Sequence, residues 1–539
     1  MPGLLVGILL AAILAVPPAP ANEPPVRKPD RQLSFEAEAF GRQLIDLADR
    51  VALEYVKPVN APELLNAGLA ELYATVGQKL PDGTAAKMLQ GTGYGDYLRI
   101  LTEARVALGR RDELAGWKSF VIAANGFSRA TDPYSMLTWQ KVNSAATSDS
   151  DFGMGFEMEG VSSARWVAYV LDSGHMGQIM TPDRTGPVEP PVGPKWVVKR
   201  VFPGSPAASA GMRPGDVITH LNGGEISAES NTRLFRKLAS FSVPELNDGT
   251  PIEASKPVVY RVTRVGAPTP LDLAVSRAGY TPESVFGVMR RVDGAWDFML
   301  DREAKIGYIR LGSVEMPAAE AFVRAINTLV GDGATGLVLD LRWCPGGYVD
   351  PTSRICGALL PEGATIGTVK YRYPDRNATS EFKASAGRGG TANVTLPMAV
   401  LVGGDTIGGG EMIAAAFQDH KRAIVVGQRT FGKSNLMNIV NTPIPGLTFR
   451  VSTGYSFRPN GKARHRFPES KPTDDWGVRP DRGYEAPTTP DYSATLRLLA
   501  ERQAIRPAGD SNVVAFDDPL EDPQKLLAVK FLKERIAKK

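Results

Sequence analysis

The residues that disulfide and metal chemistry depend on are scarce in this sequence. Of 539 residues, two are cysteine and four are histidine. Cys344 and Cys356 are too few for a disulfide framework, neither has a metal-ligand spacing, and spacing alone leaves open whether they pair. His175, His220, His420 and His465 are scattered with no HxxxH arrangement, so no metal is expected. Charge of one sign is scarce too. Lys and Arg number 62 against 58 Asp and Glu, a net charge of +4. No long basic run is present, so bulk electrostatics do not point to nucleic acid. One apolar run stands out, Leu4 to Val16. It is too short for a comfortable transmembrane helix, and Pro17-Pro18 breaks it. Ala19-Pro20-Ala21 follows as a small-x-small cleavage signature. Residues 1–21 therefore read as a secretory signal peptide, although no Lys or Arg precedes the run. Export to the periplasm or cell envelope is expected. An uncleaved N-terminal anchor is the alternative, and would be the chain's one membrane contact.

Hydrophobic residues make up 43% of the chain, which fits folded domains, and the length asks for two to four of them. Residues 22–34 are Pro-rich and charged, a linker. Residues 35–150 are read as an N-terminal helical region. Leu44, Leu47, Ala48, Val51 and Tyr55 recur as one amphipathic stripe, and Pro62 opens a second helix with Leu65, Leu69 and Leu72 inward. In residues 151–278 the segment VVKRVFPGSPAASAGMRPGDVITHLNGGEI reads as the strand Val197 to Val201, a short helix Pro206 to Ala210, a Gly215-Asp216 turn, the strand Val217 to Leu221 and a hairpin at Asn222-Gly223-Gly224. It resembles a PDZ domain. Such domains add a peptide tail as an extra strand and hold its carboxylate in a backbone nest. The resemblance implies that the nest is Gly153-Met154-Gly155-Phe156, before a strand Phe156 to Glu159. A plain turn at Gly153 and Gly155 is the alternative. A Pro/Gly-rich insert, 182–194, departs from compact PDZ domains.

Residues 279–485 alternate strands and helices. Ile306 to Leu311 reads as a strand, Pro317 to Val330 as a helix, and Gly336 to Leu341 as a strand covered on both faces. The last runs into Asp340-Leu341-Arg342-Trp343-Cys344-Pro345-Gly346-Gly347. A further buried strand, Met398 to Val402, leads to the elbow Gly408-Gly409-Gly410 and a helix Glu411 to Gln418. The strand Ala423 to Val426 and Thr430-Phe431-Gly432-Lys433 follow. Leu447 to Thr453 and Tyr455 to Phe457 read as two strands, and Gly477-Val478-Arg479-Pro480-Asp481 comes after them. Residues 486–539 are read as a linker and a C-terminal helix, Asp522 to Ile536.

These motifs resemble the carboxyl-terminal processing peptidases, or tail-specific proteases, and the likeness runs over nearly all of the chain beyond residue 21. It implies a multidomain α+β architecture: an N-terminal helical region, a PDZ β-sandwich-like domain and an α/β core of ClpP/crotonase type. It also implies serine-type endoproteolysis of proteins recognised by their C-terminal tails, without metal or organic cofactor. It gives Lys433 the role of general base, and the backbone N–H groups of Gly409 and of Gly346 or Gly347 the role of oxyanion hole. The family's nucleophilic serine falls on Gly408, which has no hydroxyl. Cys344 stands where the family commonly has Asn, and Met437 where it usually has a glutamine that orients the amine.

Three readings of Gly408 stay open. The chain is a non-catalytic, tail-binding relative; or Thr406, Ser434 or Cys344 substitutes; or the glycine is a variant of this sequence. A shift of two residues displaces a side chain by about 6–7 Å, against the ~3 Å that attack requires. Asp419 is read as a cap or surface partner. Glu411 is read as a structural carboxylate in a first helical turn.

Overall fold

The fold is that of a computed structural model, which describes residues 30–139, 151–153, 156–158, 196–202, 204–213, 215–225, 257–264, 266–276, 278–280, 283–291, 295–372, 379–385, 395–467, 469–504 and 521–538. The signal-peptide reading, Met154, Gly155 and the 182–194 insert lie outside them.

Four parallel strands form the central sheet, in the order Ile306–Leu311, Gly336–Asp340, Met398–Val402 and Ile424–Gly427. Each of the first three is buried along its whole length, as expected of strands covered on both faces. Alternate residues divide between two cores. Ile309, Leu311, Leu337, Leu339, Val400 and Val402 pack with the helices Ala318–Gly331, Val349–Gly357 and Gly409–Asp419. Tyr308, Val338, Ala399, Leu401 and Val426 face Ala528 and Leu532 of the C-terminal helix Pro523–Ala537. The loops after Asp340 and after Val402 thus leave the carboxyl ends of adjacent strands, the place where open α/β sheets carry their sites.

A second sheet is organised around Leu447–Phe457, one continuous strand where the sequence suggests a break at Gly454. A Cβ at Gly454 would lie 2.8 Å from Lys370 O and 2.9 Å from Tyr371 Cδ1. The glycine admits a neighbouring backbone rather than ending the strand. Asn435–Asn441 and Thr365–Tyr371 flank it, and Met136–Trp139 pairs with its first residues. The helical stripe is buried as expected, from Leu44 to Tyr55. It buries against more than helices: Val440, Leu447, Phe449 and Val451 belong to the same core. The helices are therefore built into this sheet rather than standing as a separate packing unit.

In the PDZ segment the strands run Phe156–Met158, Trp196–Val201, Val217–Leu221, Val258–Thr263, Leu271–Val275. Val198, Ala207, Met212, Ile218, Tyr260, Val262 and Val275 form their own core. Phe156–Met158 lies at the sheet's end. The stretch read as linker after 485 contains a helix, Pro490–Ala504; its Pro/Thr-rich lead-in is the N-terminal flank of that helix rather than a sign of unstructured chain. No helix among the described residues is long and apolar enough to cross a membrane.

Candidate active site

The two glycine loops meet. Ile407 N donates to Cys344 O at 2.9 Å. A Cβ on Gly346 would lie 2.6 Å from Gly409 N, and one on Gly409 would lie 3.5 Å from Gly346 Cα and 3.6 Å from Gly347 N. Only residues without side chains pack this closely. Val314 anchors the first loop, donating to Gly346 O and accepting from Tyr348 N, each at 2.9 Å. The N–H of Gly347 and that of Gly409, the first residue of its helix, have no acceptor among the described residues. Two orphan donors at a helix N-terminus are the ingredients of a site for developing negative charge.

Gly408 sits at the elbow with φ +53° and ψ −111°, a region costly for any residue with a Cβ. Space is not the obstacle: a Cβ there would meet only Pro345 O at 3.7 Å and Gly346 Cα at 4.0 Å.

Glu411 joins the elbow to the lysine loop. Its carboxylate is fully buried. One oxygen accepts from Thr430 Oγ1 at 2.6 Å and Gly432 N at 2.7 Å. The other accepts from Gly408 N at 3.1 Å and Lys433 N at 2.9 Å, so those two nitrogens are at most 3.1 plus 2.9 Å apart. Burial raises the Glu411 pKa, while Arg464 and the donors on Thr430, Gly432 and Gly408 oppose the rise. Arg464, itself buried, donates to Gly408 O at 3.1 Å and to Ser456 Oγ.

The Lys433 amine lies 3.7 Å from Met437 Sδ and 5.3 Å from the centre of the Tyr134 ring. Burial lowers its pKa, and Arg450 adds to the shift; Asp132 and Glu411 act against it. A thioether is a weak acceptor, so Met437 fills the space beside the amine without stabilising its charge.

The side chains that could replace a serine are engaged or inaccessible. Thr406 Oγ1 is buried, donates to Leu341 O at 2.8 Å and accepts from Gly403 N at 2.9 Å. Cys344 is buried, and burial pushes its thiol up to about 12. Cys344 and Cys356 are both free thiols. Ser434 is buried, with its N–H on His465 Nδ1 at 3.3 Å. Asp340 and Arg342 of the first loop are structural. Arg342 Nη2 pairs with Asp340 at 2.7 Å, and Nη1 reaches Asp522 at 2.9 Å and Gln524 at 3.1 Å. Asp419 pairs with Arg458 and accepts from Asn460 Nδ2 at 3.0 Å, consistent with a structural partner.

In the PDZ segment, Gly153 pairs with Ala278. Phe156 pairs with Val201 and sets its ring edge-on to Tyr260 at 5.4 Å.

Comparison with known proteins agrees with this geometry. Residues 305–482 match the model of peptidase family S41, and residues 197–239 match a PDZ domain. A carboxy-terminal-processing protease of Bartonella bacilliformis is 27% identical over 345 residues, 62% of this chain and 70% of its own length. The carboxyl-terminal-processing protease of Synechocystis is 28% identical, covering 56% of this chain and 64% of its own.

The chain carries a peptidase family S41 core together with a PDZ domain, which supports a carboxyl-terminal processing peptidase.

A further family relative, the chloroplastic carboxyl-terminal-processing peptidase 2 of Arabidopsis thaliana, is 30% identical over 54% of this chain and half of its own length. Among solved structures, a photosystem II D1 C-terminal processing protease is similar at 20% identity, covering 80% of this chain and 94% of that one, with a TM-score of 0.35. An S41 protease from Bacteroides fragilis is similar at 15% identity, covering 77% and 90%, with a TM-score of 0.42. Sequence reasoning missed two residues of this site, Glu411 as the fastener and Arg464 as its buried counter-charge. Glu411 carried a signal in its position three residues past the elbow. Arg464 carried none.

Proposed function

We propose that this exported family member takes hold of proteins by their C-terminal tails through the PDZ segment, with Gly153 to Phe156 as the carboxylate nest. It holds an extended segment across the Gly346-Gly347 loop and the Gly408 elbow, and forms no acyl-enzyme there. The observation that carries this reading is the elbow itself. Backbone, orphan amides and lysine loop are assembled around a position with no oxygen, and the hydroxyls of Thr406 and Ser434 and the thiol of Cys344 are buried. Gly347 and Gly409 would polarise a bound carbonyl, and Lys433 would serve as the base if a hydroxyl stood at 408. Among the described residues Phe156–Met158 is the terminal strand of its sheet, which supports tail capture, since a peptide could add there as a strand.

The test is digestion of an unfolded protein by the mature chain, beside Gly408→Ser and the double variant with Lys433→Ala. We expect no cleavage by the unaltered chain, cleavage by Gly408→Ser, and none by the double variant. Cleavage by the unaltered chain that Lys433→Ala abolishes would overturn the proposal in favour of ordinary peptidase action.

A further inference from the structure

Beside the lysine loop stands a cation whose side-chain donors meet no acceptor among the described residues. Arg466 is bound to the loop by its own backbone, Arg466 N to Gly432 O at 2.7 Å. Its guanidinium lies 4.7 Å from the centre of the Trp476 ring. That ring is fixed in turn. Its Nε1 donates to Lys471 O at 3.1 Å, and Arg429 lies 3.3 Å from its centre. Arg429 directs its donors to the carbonyls of Trp476 at 2.8 Å, Pro472 at 2.7 Å and Asp474. The Arg466 side chain donates no hydrogen bond and makes no ion pair with any described residue, and it is exposed. A Cβ on Gly432 would lie 2.8 Å from Arg466 Cβ and 3.0 Å from Trp476 Cε3. The platform therefore abuts the residue before Lys433.

The surroundings are electropositive. Lys57 Nζ is 5.0 Å from the ring centre of Phe467, the residue after Arg466, and the His465 ring is 4.7 Å from that of Phe467. Burial, then Lys433, Lys57 and Arg464, hold the His465 pKa down to about 3. Of the carboxylates around it, Glu411 accepts from four donors, Asp132 Oδ1 from the amides of Tyr134 at 2.9 Å and Ser135 at 2.8 Å, and Asp474 from Lys471 N at 2.7 Å, while Asp475 pairs with Lys462 at 2.9 Å; Asp132 Oδ2 has no hydrogen-bond partner among the described residues, and Glu469 is exposed.

We infer that Arg466, held on Trp476 beside Gly432, is a carboxylate-recognition subsite that makes the cleft prefer peptide segments carrying an acidic group. A guanidinium fixed by stacking loses little freedom when it binds a carboxylate, and its planar fork can engage both oxygens. The inference rests on the cleft holding a peptide segment, as proposed above. The carboxylate could be an Asp or Glu side chain or the chain terminus.

The test is the affinity of the full mature chain for labelled peptides of one apolar sequence in four forms: neutral and amidated, amidated with a central Glu, amidated with a central Lys, and neutral with a free carboxyl terminus. The Glu form should bind about tenfold more tightly than the neutral amide, as expected for a charge-assisted pair. Added salt should narrow the gap. Arg466→Gln should bring the ratio to about one, and Arg466→Lys should leave it in between. If the free terminus rather than Glu gains the Arg466-dependent tightening, the subsite reads chain ends. Equal binding of the Glu, free-terminus and neutral forms, or ratios that Arg466→Gln leaves unchanged, overturn the subsite alone. Failure of every peptide to bind overturns it together with the cleft reading.

Discussion

In the proposed reading, glycine at position 408 removes an oxygen, and it also avoids a strain. At φ +53° and ψ −111° a serine would cost about 1–3 kcal/mol, with no steric clash to add. Gly408→Ser is therefore an installable nucleophile with a modest stability penalty. Lys433 tells the complementary story. Its amine is kept out of water beside a thioether, and its pKa lies below the ordinary value of 10.5. Folding therefore disfavours its charged form, so this group's contribution to stability improves as pH rises through the folded-state pKa towards 10.5, and worsens as pH falls. Lys433→Met should make the chain more stable in urea at neutral pH, and the advantage should shrink as pH approaches 10.5. A gap that is constant across that range would show that the amine is solvated. Both residues were legible in the sequence, because TFGK and the glycine elbow have a fixed spacing. The φ that makes Gly408 more than a missing hydroxyl was not, since it is a property of the fold.

Between elements, Glu411 fastens the helix Gly409–Asp419 to the loop carrying Lys433. Glu411→Ala would leave four donors without their acceptor and Arg464 without its counter-charge, a loss of about 3 kcal/mol. Thermal unfolding should show it as a large fall in midpoint, far beyond that of an exposed glutamate such as Glu534 replaced by Ala. Equal effects would mean that the four bonds contribute little. The parallel strands were read nearly residue for residue, because continuous apolar runs between glycine turns leave few alternatives. Asn435–Asn441 escaped, as a half-polar strand whose one strand partner among the described residues is Leu447–Phe457. Pro490–Ala504 escaped because its amphipathic signal is weak beside the Pro/Thr-rich stretch before it. The break inferred at Gly454 followed a sound local rule that tertiary packing overrides, since the neighbouring strand needs the bare backbone.

At the scale of the molecule, the N-terminal helices and the sheet around Leu447–Phe457 share one core, the α/β core is covered on both faces, and the PDZ segment keeps its own. In the reading proposed above, the frame of a processing peptidase surrounds an elbow that lacks its attacking atom. The most direct probe of that statement is intact-mass analysis after exposure to a fluorophosphonate, which phosphonylates an activated serine hydroxyl with loss of fluoride. The unaltered chain should stay unmodified, Gly408→Ser should gain one adduct, and adding Lys433→Ala should abolish it. An adduct on the unaltered chain that depends on Lys433 would mean that another oxygen does the work of the missing serine, and would contradict the account.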